Sequence, residues 1–222
     1  MMTQPSGAPR VAVGAMDLSR ALFIQKVYSL LTLSFLSSAV GAFMASGMDQ
    51  SVGIGASLAG FLCLFIAYMT RKSYPINMVV LFAFTFLEGM AAGPLLGAIS
   101  DAGQSHVIAQ ALMLTTITFG GLTAYVFWSK TDFSYMGGFL FCGLIAMVGV
   151  GFMGAIFGMS SGMSLVYSFI GVILFSGYVL YDTSMIINKY PPDEYVAGTI
   201  SLFLDFLNLF WFILRLLMGR DD

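Results

Sequence analysis

Charged side chains are scarce in this sequence. Asp, Glu, Lys and Arg together make up 9% of the 222 residues, whereas hydrophobic residues make up 59%. A soluble domain carries about a quarter charged residues, because water must solvate its surface. So few charges cannot cover a globule of this size, and most of the surface must therefore face lipid. The net charge of −2 provides no basic patch, so no nucleic-acid partner is expected.

Cysteine and histidine are also nearly absent. Cys63 and Cys142 both lie in apolar segments, where they are expected to act as small hydrophobic residues, not as a disulfide or a metal site. His106 is the only histidine, which excludes a histidine-based metal cluster, and no cofactor is expected. Residues 1–20 show no cleavable signal pattern. They are polar and rich in Gly, Pro and Ser, which predicts a disordered tail.

Long apolar segments, in contrast, occupy most of the chain. A spanning helix needs about 20 apolar residues. From Phe133 to Tyr181 there is no charged residue, which is too long for one crossing, and the turn-like residues 158–162 divide this stretch. The sequence predicts an all-α integral membrane protein, with about seven transmembrane helices in a single domain over residues 21–222. The predicted spans are 27–48, 51–70, 75–99, 107–128, two spans within 133–188, and 195–218.

The basic residues predict how these spans are oriented. The loops after spans one, three and five contain no Lys or Arg, and basic residues are enriched on the cytoplasmic side of membrane proteins. The N-terminus is therefore expected in the cytoplasm. Seven spans place Arg215 and Arg220 on the opposite side, and a C-terminal segment that re-enters and returns would remove this conflict. The residues that share the cytoplasmic side are Arg10, Arg20, Lys26, Arg71, Lys72, Lys130 and Lys189.

Small residues recur at a spacing of four in two spans. The third span contains Gly89, Gly93 and Gly97, and the fifth contains Gly154 and Gly158. On a helix this spacing forms a flat face that lets a neighbouring backbone approach closely. The pattern predicts tight packing within the chain, with a dimer interface as the alternative.

Three acidic residues, Glu88, Asp182 and Asp205, fall inside predicted spans. An ionisable group at the bilayer centre costs on the order of 3 kcal/mol, so each needs a reason to be there. Asp182 lies about 9 Å inside the end of span six at Asn188, and Asp205 lies about 15 Å beyond Tyr195. Because spans six and seven form an antiparallel hairpin, the two aspartates should lie at similar depth on adjacent helices.

Two adjacent carboxylates in a low dielectric cannot both be ionised without strong repulsion. Such a pair shares a proton or takes up a cation. Alternatively, each aspartate is satisfied separately by a hydroxyl, an amide or an arginine, and Tyr178, Tyr181 and Asn208 lie within one helical turn. A coupled pair is the favoured interpretation, because burying two unrelated acids on consecutive helices is doubly unfavourable.

The residues alone leave the roles of two further charged side chains, Arg71 and Glu88, undecided. Arg71 lies at the cytoplasmic end of span two, and its position alone is that of an ordinary topological anchor. Glu88 lies about 20 Å into span three. It is either a further station on an ion path or a buried acid bonded to a helix backbone.

Two C-terminal motifs resemble those of a known family. The stretch Phe175–Ile187 reads FSGYVLYDTSMII, and the stretch Ser201–Leu217 reads SLFLDFLNLFWFILRLL. Both are similar to the motifs of the Bax-inhibitor (transmembrane Bax inhibitor motif) family. The likeness extends to the seven apolar spans and to the basic pair after span two. The composition and the short loops look like those of a bacterial inner-membrane member.

This resemblance implies a pH-sensitive calcium leak channel. In that family a hydrogen-bonded aspartyl pair governs the pore, and these aspartates correspond to Asp182 and Asp205, which would bind calcium transiently. An arginine at the end of span two can pair with one aspartate, and it corresponds to Arg71. The implied partners are calcium ions, protons and the lipid bilayer. No motif assigns a role to Glu88.

Two functions other than a channel are a regulatory membrane protein and an intramembrane protease. Bacterial relatives in this family include modulators of a membrane-bound protease, so a regulatory membrane protein that modulates such a protease or a stress response is the alternative. An intramembrane aspartyl protease is not expected. Tyr181-Asp182 matches half of such a site, but bulky Leu204 and Phe206 flank the second aspartate, where such proteases have glycines, and would obstruct an extended substrate.

Overall fold

The described part of the chain contains seven α-helices that are each long and apolar enough to cross a membrane. The computed structural model describes the backbone of residues 10–219 and the side chains of residues 18–219, and these contain no β-strand. The predicted all-α fold is thereby confirmed. The helices are α1 (Arg10–Ala45), α2 (Gln50–Thr70), α3 (Ile76–Asp101), α4 (Ser105–Ser129), α5 (Gly137–Phe157), α6 (Ser161–Asn188) and α7 (Tyr195–Met218).

The N-terminal boundary differs from the sequence prediction. A disordered tail was expected over residues 1–20, but α1 begins at Arg10, and its apolar part begins at Leu18. The two charged residues that precede the predicted first span make contacts within the bundle. Arg20 Nη1 donates to the Tyr190 carbonyl oxygen at 2.6 Å, and Lys26 Nζ lies 3.3 Å from the centre of the Tyr195 ring. Residues 1–9 of the predicted tail lie outside the described residues.

Small residues bring the backbones of α1 and α3 into direct contact. A Cβ added at Gly89, Gly93 or Gly97 would collide with the backbone of α1 near Ser38, Ala42 or Ser46. All three glycines of the predicted face therefore serve packing within the chain. The fifth span is different, because Gly154 faces the side chain of Met159, and Gly158 (φ +79°) forms the turn before α6.

Helix α7 lies at the centre of the bundle. It packs against α1, α4 and α6, while α2 packs along α3. Aromatic rings fill the centre: Phe203 contacts Phe35 and Phe84, with ring centres 5.8 and 5.9 Å apart, and Phe206 contacts Phe35 at 4.4 Å. Helix α7 is continuous over its 24 residues. Arg215 therefore lies at the opposite end of the bundle from Glu194, as seven full spans require, while Arg220 lies outside the described residues.

Candidate functional site

The two intramembrane aspartates lie on the two helices of the α6–α7 hairpin. Helix α6 starts where Ser160 Oγ accepts a hydrogen bond from the Met163 backbone N–H at 3.4 Å. It ends at Asn188, and the loop that contains Pro191 and Pro192 follows, because proline cannot continue a helix. The loop is short, so α7 returns directly along α6.

The carboxyl groups of Asp182 and Asp205 lie within hydrogen-bonding reach of each other. Asp182 is 9% exposed and Asp205 is 4% exposed. Two ionised carboxylates have no proton to donate, so a hydrogen bond between them requires that one is protonated. Asp205 Oδ2 is fully buried and has no hydrogen-bond partner among the described residues. The structure therefore brings two buried carboxyl groups together on adjacent helices.

The polar residues that could have satisfied each aspartate separately are arranged differently from one another. Asn208 Nδ2 donates to the Leu204 carbonyl oxygen at 2.8 Å, on its own helix. The ring of Tyr181 lies against Gly137 at the start of α5. Tyr178 stacks on Phe175, with ring centres 5.7 Å apart, and lies near both carboxyls. Asn208 is therefore engaged within its own helix, whereas Tyr178 lies close enough to interact with both aspartates.

Arg71 is at the end of α2, but its described ion pair is with Glu194. Arg71 Nε lies 3.6 Å from Glu194 Oε1, and Lys72 Nζ lies 3.2 Å from the same oxygen and 3.3 Å from Asp193 Oδ2. The contact with Glu194 raises the pKa of the Lys72 amine. The predicted pairing of Arg71 with Asp182 stays a prediction. Sequence reasoning missed Glu194, although its charge lies on the same side as the basic pair that follows α2.

A cavity of about 350 Å³ lies between α2 and α7. Arg71 and Glu194 lie at one part of its lining, and Tyr190, Ser201 and Leu204 at another. Tyr190 Oη and Ser201 Oγ are hydrogen-bonded at 3.3 Å, and Tyr190 is near enough to Asp182 to interact electrostatically. The cavity thus lies at the charged end of the bundle, and Leu204, the residue before Asp205, is part of its lining.

Glu88 lies apart from the aspartates, at the contact between α2 and α3. Its Oε1 atom is 2.8 Å from the position that a Cβ of Gly60 would occupy, so the glycine makes room for the carboxyl group. One of the two roles left open for Glu88 was that of a buried acid bonded to a helix backbone. The described hydrogen bonds include none between Glu88 and a helix backbone. A role on an ion path stays a prediction.

A second polar cluster holds the end of α6 and was not predicted. Asp132, in the loop before α5, accepts hydrogen bonds from the Ser134 backbone N–H at 2.9 Å and from Ser184 Oγ at 3.2 Å. The bond from Ser134 lowers the pKa of the Asp132 carboxyl, which also lies 3.8 Å from Lys189 Nζ. Ser184 is one helical turn or less from Asp182, so this loop positions the segment of α6 that carries the pair.

The described residues contain no group of three or more His, Cys, Asp or Glu side chains that could hold a metal ion. Calcium is normally bound by six to eight oxygens. Two carboxyl groups alone therefore make at most a weak calcium site, which suits a passing ion better than a resident one.

Comparison with known proteins identifies the family. The family described as "Inhibitor of apoptosis-promoting Bax1" matches residues 20–222. Protein lifeguard 4 of Mus musculus is 34% identical over 207 residues, covering 89% of this chain and 85% of the relative. An uncharacterized membrane protein of Vibrio cholerae is 37% identical, covering 93% and 96%, and Bax inhibitor 1 of Schizosaccharomyces pombe is 32% identical, covering 89% and 76%. With seven membrane-spanning helices and this extent of similarity, the chain belongs to the Bax inhibitor family.

Proposed function

We propose that this protein is a pH-sensitive calcium leak channel gated by Asp182 and Asp205. The observation that carries the proposal is the contact of two buried carboxyl groups on adjacent helices. A group that is costly to bury is expected to be retained for a function, and paired acids inside a membrane typically mark ion or proton paths.

The proposed mechanism is a latch set by one proton. While one carboxyl is protonated, the hydrogen bond holds α6 and α7 together in a dry environment. Loss of the proton leaves two negative charges a few ångströms apart, where screening is weak. Repulsion then favours separation of the carboxyls or entry of a cation.

Protons and calcium ions are expected to compete for the same carboxyl oxygens. Carboxylate ligands must be deprotonated to bind a metal ion, so calcium binding should weaken as pH falls. The low number of oxygen ligands keeps calcium binding weak, which allows the ion to leave again.

Purified protein in liposomes provides the test. Calcium flux across about pH 6 to 8 should depend on pH for the wild type, and Asp205→Asn should flatten that dependence, because an amide cannot take up or release the proton. Glu88→Gln serves as the matched control for loss of an intramembrane carboxyl outside the pair. No calcium flux from the purified wild type would rule out the channel.

The proposed role of Arg71 is that of a movable counter-ion for Asp182, with Glu194 as its partner in the present conformation. An opposite charge nearby favours the ionised acid. Arg71→Ala should therefore let Asp182 take up its proton at higher pH, and the pH midpoint of calcium flux should shift upward. A midpoint equal to that of the wild type would leave Arg71 as a topological anchor.

We further propose a location in the bacterial inner membrane with the N-terminus in the cytoplasm. Five of the basic residues that suggest this orientation lie at one end of the bundle, in contact with the α6–α7 loop or its neighbours: Arg20, Lys26, Arg71, Lys72 and Lys189. A reporter active only in the cytoplasm, fused to residue 1, should be active. Activity of a periplasmic reporter at that position would instead invert the orientation.

A regulatory role is the second candidate, and the names of relatives favour it. A vaccinia virus relative, 36% identical, is named Golgi anti-apoptotic protein. Regulation could act through a membrane-bound protease or a stress response, and it can coexist with a leak. Calcium passage by the purified protein alone separates the two, since a purely regulatory protein would pass none.

An enzymatic activity is not part of the proposal. Leu204, the residue before Asp205, is in the lining of the cavity between α2 and α7. The ring of Phe206, the residue after Asp205, packs on Phe35 and Phe119, with ring centres 4.4 and 5.5 Å away. A protease at this site would need open space along the backbone for an extended substrate.

A further inference from the structure

A cavity of about 610 Å³ lies at the end of the bundle that is opposite the charged α6–α7 loop. Its polar lining consists of hydrogen-bond donors that carry no negative charge. The amides of Gln50 and Gln104, the hydroxyls of Ser161 and Ser164, and the indole of Trp211 contribute to it.

Arg215 is the one charged side chain in this lining. Its guanidinium carbon lies 5.8 Å from the centre of the Tyr167 ring, and Tyr167 is itself fixed by a hydrogen bond to the Met147 carbonyl oxygen at 3.1 Å. The ion pairs within residues 18–219 all lie at the other end of the bundle. The described part of the chain thus presents Arg215 to the cavity without a carboxylate partner.

An apolar groove of about 640 Å³ adjoins this cavity. It lies between α4, α6 and α7, and Thr118 is the one polar residue in its lining. Leu165 lines both the cavity and the groove, so the two spaces lie on either side of that side chain. A cationic cavity beside an apolar groove matches a ligand with an anionic head and a hydrocarbon tail.

We infer that this composite site binds an anionic phospholipid, with the phosphate on Arg215 and an acyl chain in the α4–α6–α7 groove. Arg215 is in the last turn of α7, at the level where lipid headgroups meet the bilayer. A guanidinium forms paired hydrogen bonds with phosphate oxygens. With the orientation proposed above, an anionic headgroup also gives Arg215 a partner on the side where basic residues are few. The inference does not depend on calcium passage.

The absence of acidic side chains from the described lining selects among lipids. A zwitterionic headgroup brings an ammonium group that finds no carboxylate there, whereas a headgroup with a net negative charge meets only a cation and neutral donors. Binding should therefore favour phosphatidylglycerol over phosphatidylcholine by about tenfold in Kd, the contribution of one charge-assisted contact.

Lipid binding to the purified full-length protein in detergent tests this inference, with Kd read by native mass spectrometry. Wild type should bind phosphatidylglycerol about tenfold more tightly than phosphatidylcholine, and Arg215→Gln should reduce this preference to about twofold or less. Lys130→Gln removes an exposed charge from the opposite end and should keep the full preference. Raising the salt concentration should weaken the preference in the wild type, which tests the charge without any substitution.

Two further measurements test the lipid as the ligand. Val166→Trp fills part of the groove and should weaken the binding of phosphatidylglycerol, while Arg215→Lys should retain the preference for it. Glycerol phosphate and inorganic phosphate, which have no tail, should not displace the lipid. A preference that survives in Arg215→Gln, equal binding of both lipids to the wild type, or displacement by inorganic phosphate would each overturn the inference.

Discussion

Asp182→Asn and Asp205→Asn should each flatten the pH response of calcium flux, and the double variant should add little to either single change. The two carboxyls are within hydrogen-bonding reach and share one environment, so removing either one removes the shared proton. Residues that act as one unit give non-additive effects, with coupling of about 0.5–3 kcal/mol. In calcium affinity, a coupling of this size corresponds to a change of up to about a hundredfold.

A double-mutant cycle measured as flux against pH in liposomes gives the result directly. Each variant should first be shown to insert and to remain monodisperse, so that a flat response reports lost titration and not lost protein. Additive effects of the two substitutions would mean that the aspartates titrate independently. Glu88 would then be the better candidate for the ion site.

Gly89→Ala should destabilise the protein strongly, by about 3 kcal/mol, which is the upper part of the usual range for overpacking. A Cβ at this position would overlap the Ser38 carbonyl oxygen and its neighbouring backbone atoms. No change of rotamer can relieve the collision, because the obstructing atoms belong to the backbone of α1. Helices α1 and α3 would have to separate, and this contact is among the most extensive in the bundle.

Gly120→Ala on α4 is the matched control. No atom lies within 4 Å of a Cβ added there, so this variant should be neutral or more stable by up to about 1 kcal/mol, as helix propensity favours alanine. The fraction of protein that stays monodisperse after heating in detergent, measured by size-exclusion chromatography, compares the two. Equal stability of both variants would show that α1 and α3 do not pack as described.

The features that follow from local chain chemistry were predictable. The last span was predicted over Tyr195–Met218, and α7 occupies those residues, because an apolar stretch between the Pro-containing loop and Gly219 has one favourable state in lipid. The division of the charge-free stretch near Gly158 was also correct. The start of the first span was not, since it was predicted at Val27, whereas the apolar part of α1 begins at Leu18. Arg20 and Lys26 are part of that helix and contact Tyr190 and Tyr195.

The candidate site likewise has features that the sequence predicted and features that it did not. Sequence identified Asp182, Asp205 and Glu88 as acids in the membrane, because a charge within an apolar run is visible without any structure. It also predicted similar depths for the two aspartates, which follows from a hairpin of two rigid helices. It did not reveal that Arg71 contacts Glu194, nor that Asp132 and Ser184 hold the end of α6.

The amino-acid sequence by itself therefore determined the number of spans, which acidic residues fall within them and the glycine face on α3, since hydrophobicity and helical periodicity are properties of consecutive residues. Only the tertiary structure decided which side chains meet. It turned Asp182 toward Asp205, set Glu88 against Gly60 and opened a cavity beside Arg215. The rotation of each helix about its axis depends on packing against all its neighbours, and no stretch of consecutive residues contains that information.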